Sequence, residues 1–248
     1  MSNGSFGDRM NSYENVSRAY LMRRVPTIIR MNINSSQSFT KDFMQPFNYL
    51  FNDCMVKTAK QLFENIQGCK LAYTQSDEIN LLLTDYDRLN TQAWCGKNIQ
   101  KMASVSASMA TLYFNRVFEE RTRELDIDVY KNKINTAMFD STIFTLPIEE
   151  VHNYFSWRQT KAIENSKLAL GRTHFLHNEL YGLSINKIVE KLMTEKDVNW
   201  NYLNTWCKYG TLISEKSNLN ETPLFIQDKE FIRYYMPVDK YGINNIKK

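Results

Sequence analysis

Residues 69–84 read Cys69-Lys-Leu-Ala-Tyr-Thr-Gln-Ser-Asp-Glu-Ile-Asn-Leu-Leu-Leu-Thr84. Two apolar, β-favouring runs, 71–74 and 79–83, flank the polar tetrad Gln75-Ser76-Asp77-Glu78, which is the pattern of a hairpin. A tip that only reversed the chain would usually carry Gly, Asn or Pro. This one carries two adjacent carboxylates at the mouth of two strands that read as buried. Acids so placed are costly unless a cation or a set of donors meets them. An exposed turn that happens to be acidic is the plain alternative.

Working outward, the hairpin has a helix and a strand on either side. Upstream, Pro26 opens a β-favouring run over 27–33, followed by the polar stretch 34–38. Pro46 can start a helix, and Phe47, Leu50, Phe51, Cys54, Met55, Leu62 and Phe63 set an apolar stripe along 46–66 that Gly68 ends. Downstream, 95–124 carries Met102, Ala103, Ser106, Met109, Ala110, Tyr113 and Phe114 on one helical face, with small residues suited to close approach. A further strand is expected over 137–146, stopped by Pro147. Strand, helix, strand, strand, helix, strand is the ferredoxin-like βαββαβ order, so the fold class is α/β (α+β). In that topology the first strand lies antiparallel to the third, and residues 31–34 should meet Asp77 and Glu78 at one sheet edge. Strand alternation would send those two acids to opposite faces if both were in the strand.

Residues 1–12 read as a flexible lead, and 13–23 as helical. The palm-like unit spans 13–146, and a mainly helical portion, 147–248, packs on it. That portion has expected helices over 149–170 and 184–195 and an aromatic stretch over 199–213. The apolar pairs Phe225-Ile226 and Phe231-Ile232 suggest a terminal strand or two.

Composition narrows the class. Hydrophobic residues at 43% and charged residues at 23% are ordinary for a soluble globular protein. No run is long and apolar enough for a membrane span, and the polar start is not a signal peptide. Four cysteines without Cys-x-x-Cys spacing, and three histidines, exclude a credible zinc site and fit a reduced, cytoplasmic protein. The net charge of +4 permits a nucleic-acid partner without requiring one.

The segment Ala72-Tyr-Thr-Gln-Ser-Asp-Glu78 resembles the second metal motif of the tRNA-His guanylyltransferase family and its bacterial-type relatives. Other segments match in order: 21–30 resembles the family's first strand and its approach, and Lys97-Asn-Ile-Gln-Lys101 resembles its triphosphate-contacting helix. Phe155-Ser-Trp-Arg-Gln159, Asn165-Ser166, His174-Phe-Leu-His177 and Asn199-Trp200 are similar to the bacterial-type members. The likeness covers roughly 13–213. It implies a 3′–5′ polymerase that adds a nucleotide to a tRNA 5′ end with two Mg²⁺ ions, ATP and GTP, as a tetramer.

Residue by residue, it implies Asp77 as metal ligand, Glu78 in a supporting catalytic role, and Asn32 and the Ile33 carbonyl at the first metal position. It places nucleotide contacts at Ile33, Asn34, Ser35, Ser36, Gln37, Ser76, Lys97 and Lys101. A basic stretch, Arg158, Lys161, Asn165, Lys167, Arg172 and His174, could track tRNA phosphates.

The first metal motif departs from the family's pattern. Where the family has Asp-Gly this chain has Asn32-Ile33, and a Lys-Pro-x-Asp pattern reads Gln45-Pro46-Phe47-Asn48. Asn offers one neutral oxygen and no charge, and Ile33 adds bulk where a backbone would approach a phosphate. Two readings of Asn32 stand. One is a tolerated ligand swap. The other is a non-catalytic tRNA- or nucleotide-binding homologue, for instance one subunit of a hetero-oligomer whose partner keeps both aspartates.

Overall fold

The computed structural model describes residues 5–88, 90–125, 127–215 and 222–236. In chain order the elements are α1 (Phe6–Val16), β1 (Thr27–Ile33), α2 (Ser36–Phe39), α3 (Tyr49–Asn65), β2 (Cys69–Gln75), β3 (Glu78–Leu83) and α4 (Ile99–Leu125). Then come α5 (Asp128–Lys131), β4 (Phe139–Thr145), α6 (Ile148–His174), α7 (His177–Leu180), α8 (Ile185–Lys196), α9 (Thr205–Tyr209), β5 (Thr211–Ile213) and α10 (Lys229–Tyr234).

The sheet order is β4-β1-β3-β2-β5, and each pairing is antiparallel. The first four strands are the ferredoxin-like arrangement expected from the hairpin and its flanking helices. Within it β1 meets β3 in the register Thr27↔Leu83 to Asn32↔Glu78, and the Ile33 N–H donates to the Asp77 carbonyl (3.1 Å). The end of β1 and the hairpin tip therefore form one edge, as that topology requires.

Alternation along β1 separates two cores. Ile29, Met31 and Ile33 face α3 and α4, joining Phe39, Phe51, Phe114 and Phe118 in one cluster. The small residues of α4 do bring it close to the sheet: Ser106 Oγ lies 2.7 Å from Ser141 Oγ on β4. Ile28 faces the other way, with Leu71, Tyr73, Leu82 and, from α6, Val151 and Phe155. Beyond the sheet edge, Leu170, Phe175, Ile188, Leu192 and Trp200 make a third cluster in the C-terminal portion.

Some expectations shift. The lead is helical from Phe6, because Ser5 caps the helix and Asp8 answers in a capping box; residues 1–4 lie outside the described ones. Phe231-Ile232 sits in α10 and Phe225-Ile226 outside any strand, while 237–248 lies outside the described residues. The strand that the C-terminal portion does supply is β5, three residues pairing with Ala72, Tyr73 and Thr74.

Candidate functional site

Directly opposed residues of an antiparallel pair share a face. Because Ile29, Met31 and Ile33 face α3 and α4, Arg30 and Asn32 face the α6 side, together with Glu78 and Asn80 opposite them. The hairpin closes with the two-residue loop Ser76-Asp77, Ser76 taking a left-handed φ of 54°. Only Glu78 is in the strand. Both acids line one cleft of about 230 Å³, with Ser76, Arg158, Asn165 and Asn48 among its other walls. The condition for a split to opposite faces is not met, since Asp77 belongs to the turn.

The two carboxylates are held differently. Arg158 Nε donates to Glu78 Oε1 (2.8 Å), and its Nη2 donates to Oε2. Asn80 Nδ2 donates to Oε1 (2.7 Å), and Tyr154 Oη donates to Asn80 Oδ1 (2.6 Å). Burial first, then the Glu78 charge, push the Tyr154 phenol well up, so it stays a proton donor. Glu78 is therefore a neutralised, positioned group. The Asp77 side chain has no hydrogen-bond or ion-pair partner among the described residues.

The other expected site residues divide by position. Asn34, Ser35, Ser36 and Gln37 follow β1 into α2, next to the tip, with Asn34, Ser35 and Gln37 exposed. Lys97 is not brought to this edge, which corrects its expected place on a helical face beside Lys101. It lies before α4 in the 3₁₀ turn Trp94–Lys97 with φ 64°, and its side chain is 3% exposed. Its ammonium donates to the Val25 carbonyl (3.0 Å) and Thr27 Oγ1 (2.5 Å) and lies 3.5 Å from Asp85. Thr27 is at the far end of β1, about 17 Å along the strand from Asn32. The lysine went inward because three acceptors converge where β1 begins and β3 ends. Lys101 is exposed on the first turn of α4, near Arg18 and Ser104, also away from the tip.

On α6, Arg158, Lys161, Asn165 and Arg172 are spaced by 3, 4 and 7, which places them on one helical face. Arg158 is engaged by Glu78, and Lys161 pairs with Glu164 (2.8 Å). Lys167 falls on the opposite side, its ammonium 4.7 Å from the Trp200 ring centre. His174 Nδ1 is within 3.0 Å of the Leu170 carbonyl in its own helix. The six do not form one surface.

Reading the sequence alone missed two members of the α6-side face. Arg30 lies one pair inward from Asn32, and its buried Nε has no partner. Asp140 on β4 lies directly opposite Asn32. Cys207 also borders the cleft, but burial pushes its thiol up to about 12, so it offers no thiolate nucleophile.

Among the described residues no group of three or more His, Cys, Asp or Glu converges as a metal cluster. Mg²⁺, however, is usually held by one or two carboxylates, waters and the substrate's own phosphates. The unengaged Asp77 carboxylate at the tip, next along the sheet edge from Asn32, fits that kind of site and no preformed cage.

Comparisons agree with this geometry. Residues 7–147 match the family model Thg1, tRNAHis guanylyltransferase. The chain is 42% identical to a bacterial tRNA(His) guanylyltransferase (Thg1)-like protein solved in complex with ATP, with a TM-score of 0.87. That match covers 94% of this chain and all of the other. A bacterial Thg1-like protein in complex with GTP is 37% identical, with a TM-score of 0.78 and coverage of 94% and 99%. The Saccharomyces cerevisiae tRNA(His) guanylyltransferase shares the fold at 19% identity, with a TM-score of 0.74 and coverage of 91% and 100%. A ferredoxin-like sheet that joins the end of β1 to an acidic hairpin tip, matched along nearly its whole length, belongs to the tRNAHis guanylyltransferase (Thg1) family.

Proposed function

We propose that this chain adds a nucleotide to the 5′ end of a tRNA, with GTP or ATP as the triphosphate substrate and a divalent cation as cofactor. The observation that carries the reading is the register Asn32↔Glu78 with the Ile33-to-Asp77 backbone bond, which joins β1 and the hairpin tip over the cleft. The family relationship and the ATP and GTP complexes of similar proteins support it.

Asp77, the Asn32 side-chain oxygen and the Ile33 carbonyl would hold the cation. When bound, it supplies positive charge to the triphosphate and activates the attacking hydroxyl. Arg158 keeps Glu78 neutralised, so that Asp77 is the anionic group presented to the ligand. Asn34, Ser35 and Gln37 offer polar groups along the loop beside the tip. The nucleotide's 3′ hydroxyl would then attack the α-phosphorus of the tRNA's 5′-triphosphate, forming the 3′–5′ phosphodiester as the α–β phosphoanhydride bond breaks, pyrophosphate leaves and the hydroxyl proton passes to water. A tetramer belongs to the same proposal, and sedimentation would read it.

A second reading, a tRNA- or nucleotide-binding subunit without chemistry, is favoured by one feature: Asn32 brings no charge to the first metal position. The experiment is nucleotide addition to a 5′-truncated, 5′-triphosphorylated tRNA with Mg²⁺, using the chain, Asp77→Ala and Asn32→Asp. Extension by the chain that Asp77→Ala abolishes supports the transferase. Full activity in Asp77→Ala sinks the scheme, and retained tRNA binding with no extension by either the chain or Asn32→Asp selects the second reading.

A further inference from the structure

The strand β4 lies at the edge of the sheet, and its α6-side positions run Phe144, Thr142, Asp140. Phe144 is packed against Tyr154, with ring centres 5.5 Å apart, while Thr142 and Asp140 are progressively farther along the strand and exposed. An aspartate inside a strand is unfavourable for local propensity, so its position asks for a reason.

The register supplies one. Asn32 is opposed by Glu78 on β3 and by Asp140 on β4, making a row Asp140–Asn32–Glu78 across three strands on one face. Directly opposed side chains of such pairs start about 5 Å apart at Cβ. Glu78 is engaged by Arg158 and Asn80. Asp140, like Asp77, has no hydrogen-bond or ion-pair partner among the described residues. An uncommitted carboxylate on the neighbouring strand therefore lies directly opposite Asn32, and the tip that bears Asp77 joins β1 at the next residue through the Ile33-to-Asp77 backbone bond.

A second feature of this face bears on its ligand. Arg30, one pair inward on the same face, has a buried Nε without a partner. A desolvated donor left unmet is costly, and an anionic oxygen at this face would meet it. An uncommitted carboxylate and an orphaned guanidinium nitrogen on one face, next to the tip that bears Asp77, match a dication carried in with phosphate groups.

We infer that Asp140 supplies the second anionic ligand for the divalent cation, replacing from β4 the carboxylate that position 32 lacks. The inference rests on the reading of this edge as the cation and triphosphate site, and it changes the expectation for that site: the charge is relocated across the sheet.

The test is Mn²⁺ binding to the full chain, followed by electron paramagnetic resonance with a non-hydrolysable GTP analogue present. Asp140→Asn should weaken Mn²⁺ binding on the order of tenfold, while Asp197→Asn, a distant exposed acid, leaves it unchanged. Adding Asn32→Asp to Asp140→Asn should restore binding. Asp140 is exposed, so its amide variant is expected to keep its melting temperature, and Asp140→Ser gives a second measure of the same loss. Unchanged affinity in Asp140→Asn, with weakening in Asp77→Asn, overturns the role of Asp140 and leaves the proposed function standing; the acid would then serve only to keep the sheet edge from pairing. If neither variant alters Mn²⁺ binding, the cation site itself is wrong and both readings fall.

Discussion

Glu78 on β3 and Arg158 on α6 grip one another through two guanidinium-to-carboxylate hydrogen bonds, with side chains only 13% and 19% exposed. This pair fixes the C-terminal portion to the hairpin at the point where the cleft opens. Removing one partner leaves a charge largely out of water, a situation more damaging than losing the pair altogether. Arg158→Ala is expected to lower stability by about 2–3 kcal/mol, and Glu78→Gln by less, because the amide still accepts from Arg158. Urea midpoints measure both. A double variant as stable as the better single one would confirm that the loss comes from the orphaned charge.

Lys97 should prove structural. Its replacement by Met is expected to change nucleotide affinity less than about threefold, since the ammonium lies at the far end of β1, and to lower stability by leaving the buried Asp85 with only Arg23 and the Arg24 N–H as partners. Its pH behaviour provides a sharper check. Burial is the largest influence on Lys97 and lowers its pKa, against the opposing pull of Asp85. The unfolded chain therefore binds more protons between the lowered value and the ordinary 10.5. Stability from this group rises with pH through that window, and the cost of holding the proton is fully present below it. Wild-type stability should rise relative to Lys97→Met as pH is raised from neutral toward 10.5. A flat difference would mean that the ammonium is not desolvated.

Asn32→Asp would put a carboxylate directly between Glu78 and Asp140. Like charges opposed across strands repel, so in EDTA the variant should lose up to about 1 kcal/mol. Millimolar Mg²⁺ should return that loss and lower the Mg²⁺ concentration needed for nucleotide binding. Thermal melts with and without the cation distinguish this from simple repulsion, which Mg²⁺ would not reverse.

Gly210, between α9 and β5, has φ 72°, and a Cβ there would lie 2.7 Å from the Thr74 carbonyl oxygen and 2.8 Å from Tyr73 Oη. That hydroxyl donates to the Tyr209 carbonyl (2.8 Å). The carbonyl cannot withdraw without disturbing the β2–β5 pairing, nor the hydroxyl without giving up its bond to Tyr209. Gly210→Ala should cost about 2–4 kcal/mol, read as a lowered midpoint in denaturant.

The hairpin was legible because two short apolar, β-favouring runs around an acidic tip are local signals, and the ferredoxin-like order turned them into a register: residues 31–34 beside Asp77 and Glu78. The stripe from Leu50 to Leu62 and the small-residue face of α4 likewise followed from helical period. Side-chain destinations were less readable. Lys97 sits in a sequence that suggests an exposed basic helix start, but three acceptors from distant segments draw it inward. Arg158 looks like one more surface cation until β3 places Glu78 against it. Asp140 has no local sign of function, because its meaning depends on a pairing with Asn32 more than a hundred positions earlier. β5 was missed because three residues carry too little alternation to announce a strand.

That short strand also bears on how the protein is made. β2 is an inner strand only because Thr211–Ile213 pairs with it. During synthesis the βαββαβ unit is complete in sequence once β4 has been translated, but β2 then presents an unsatisfied backbone edge, Ala72 to Thr74, until the ribosome has delivered the C-terminal portion. Exposed edges of this kind recruit other strands. The nascent chain thus has an interval in which its sheet can be extended by the wrong neighbour, and the arrival of three residues late in translation closes it.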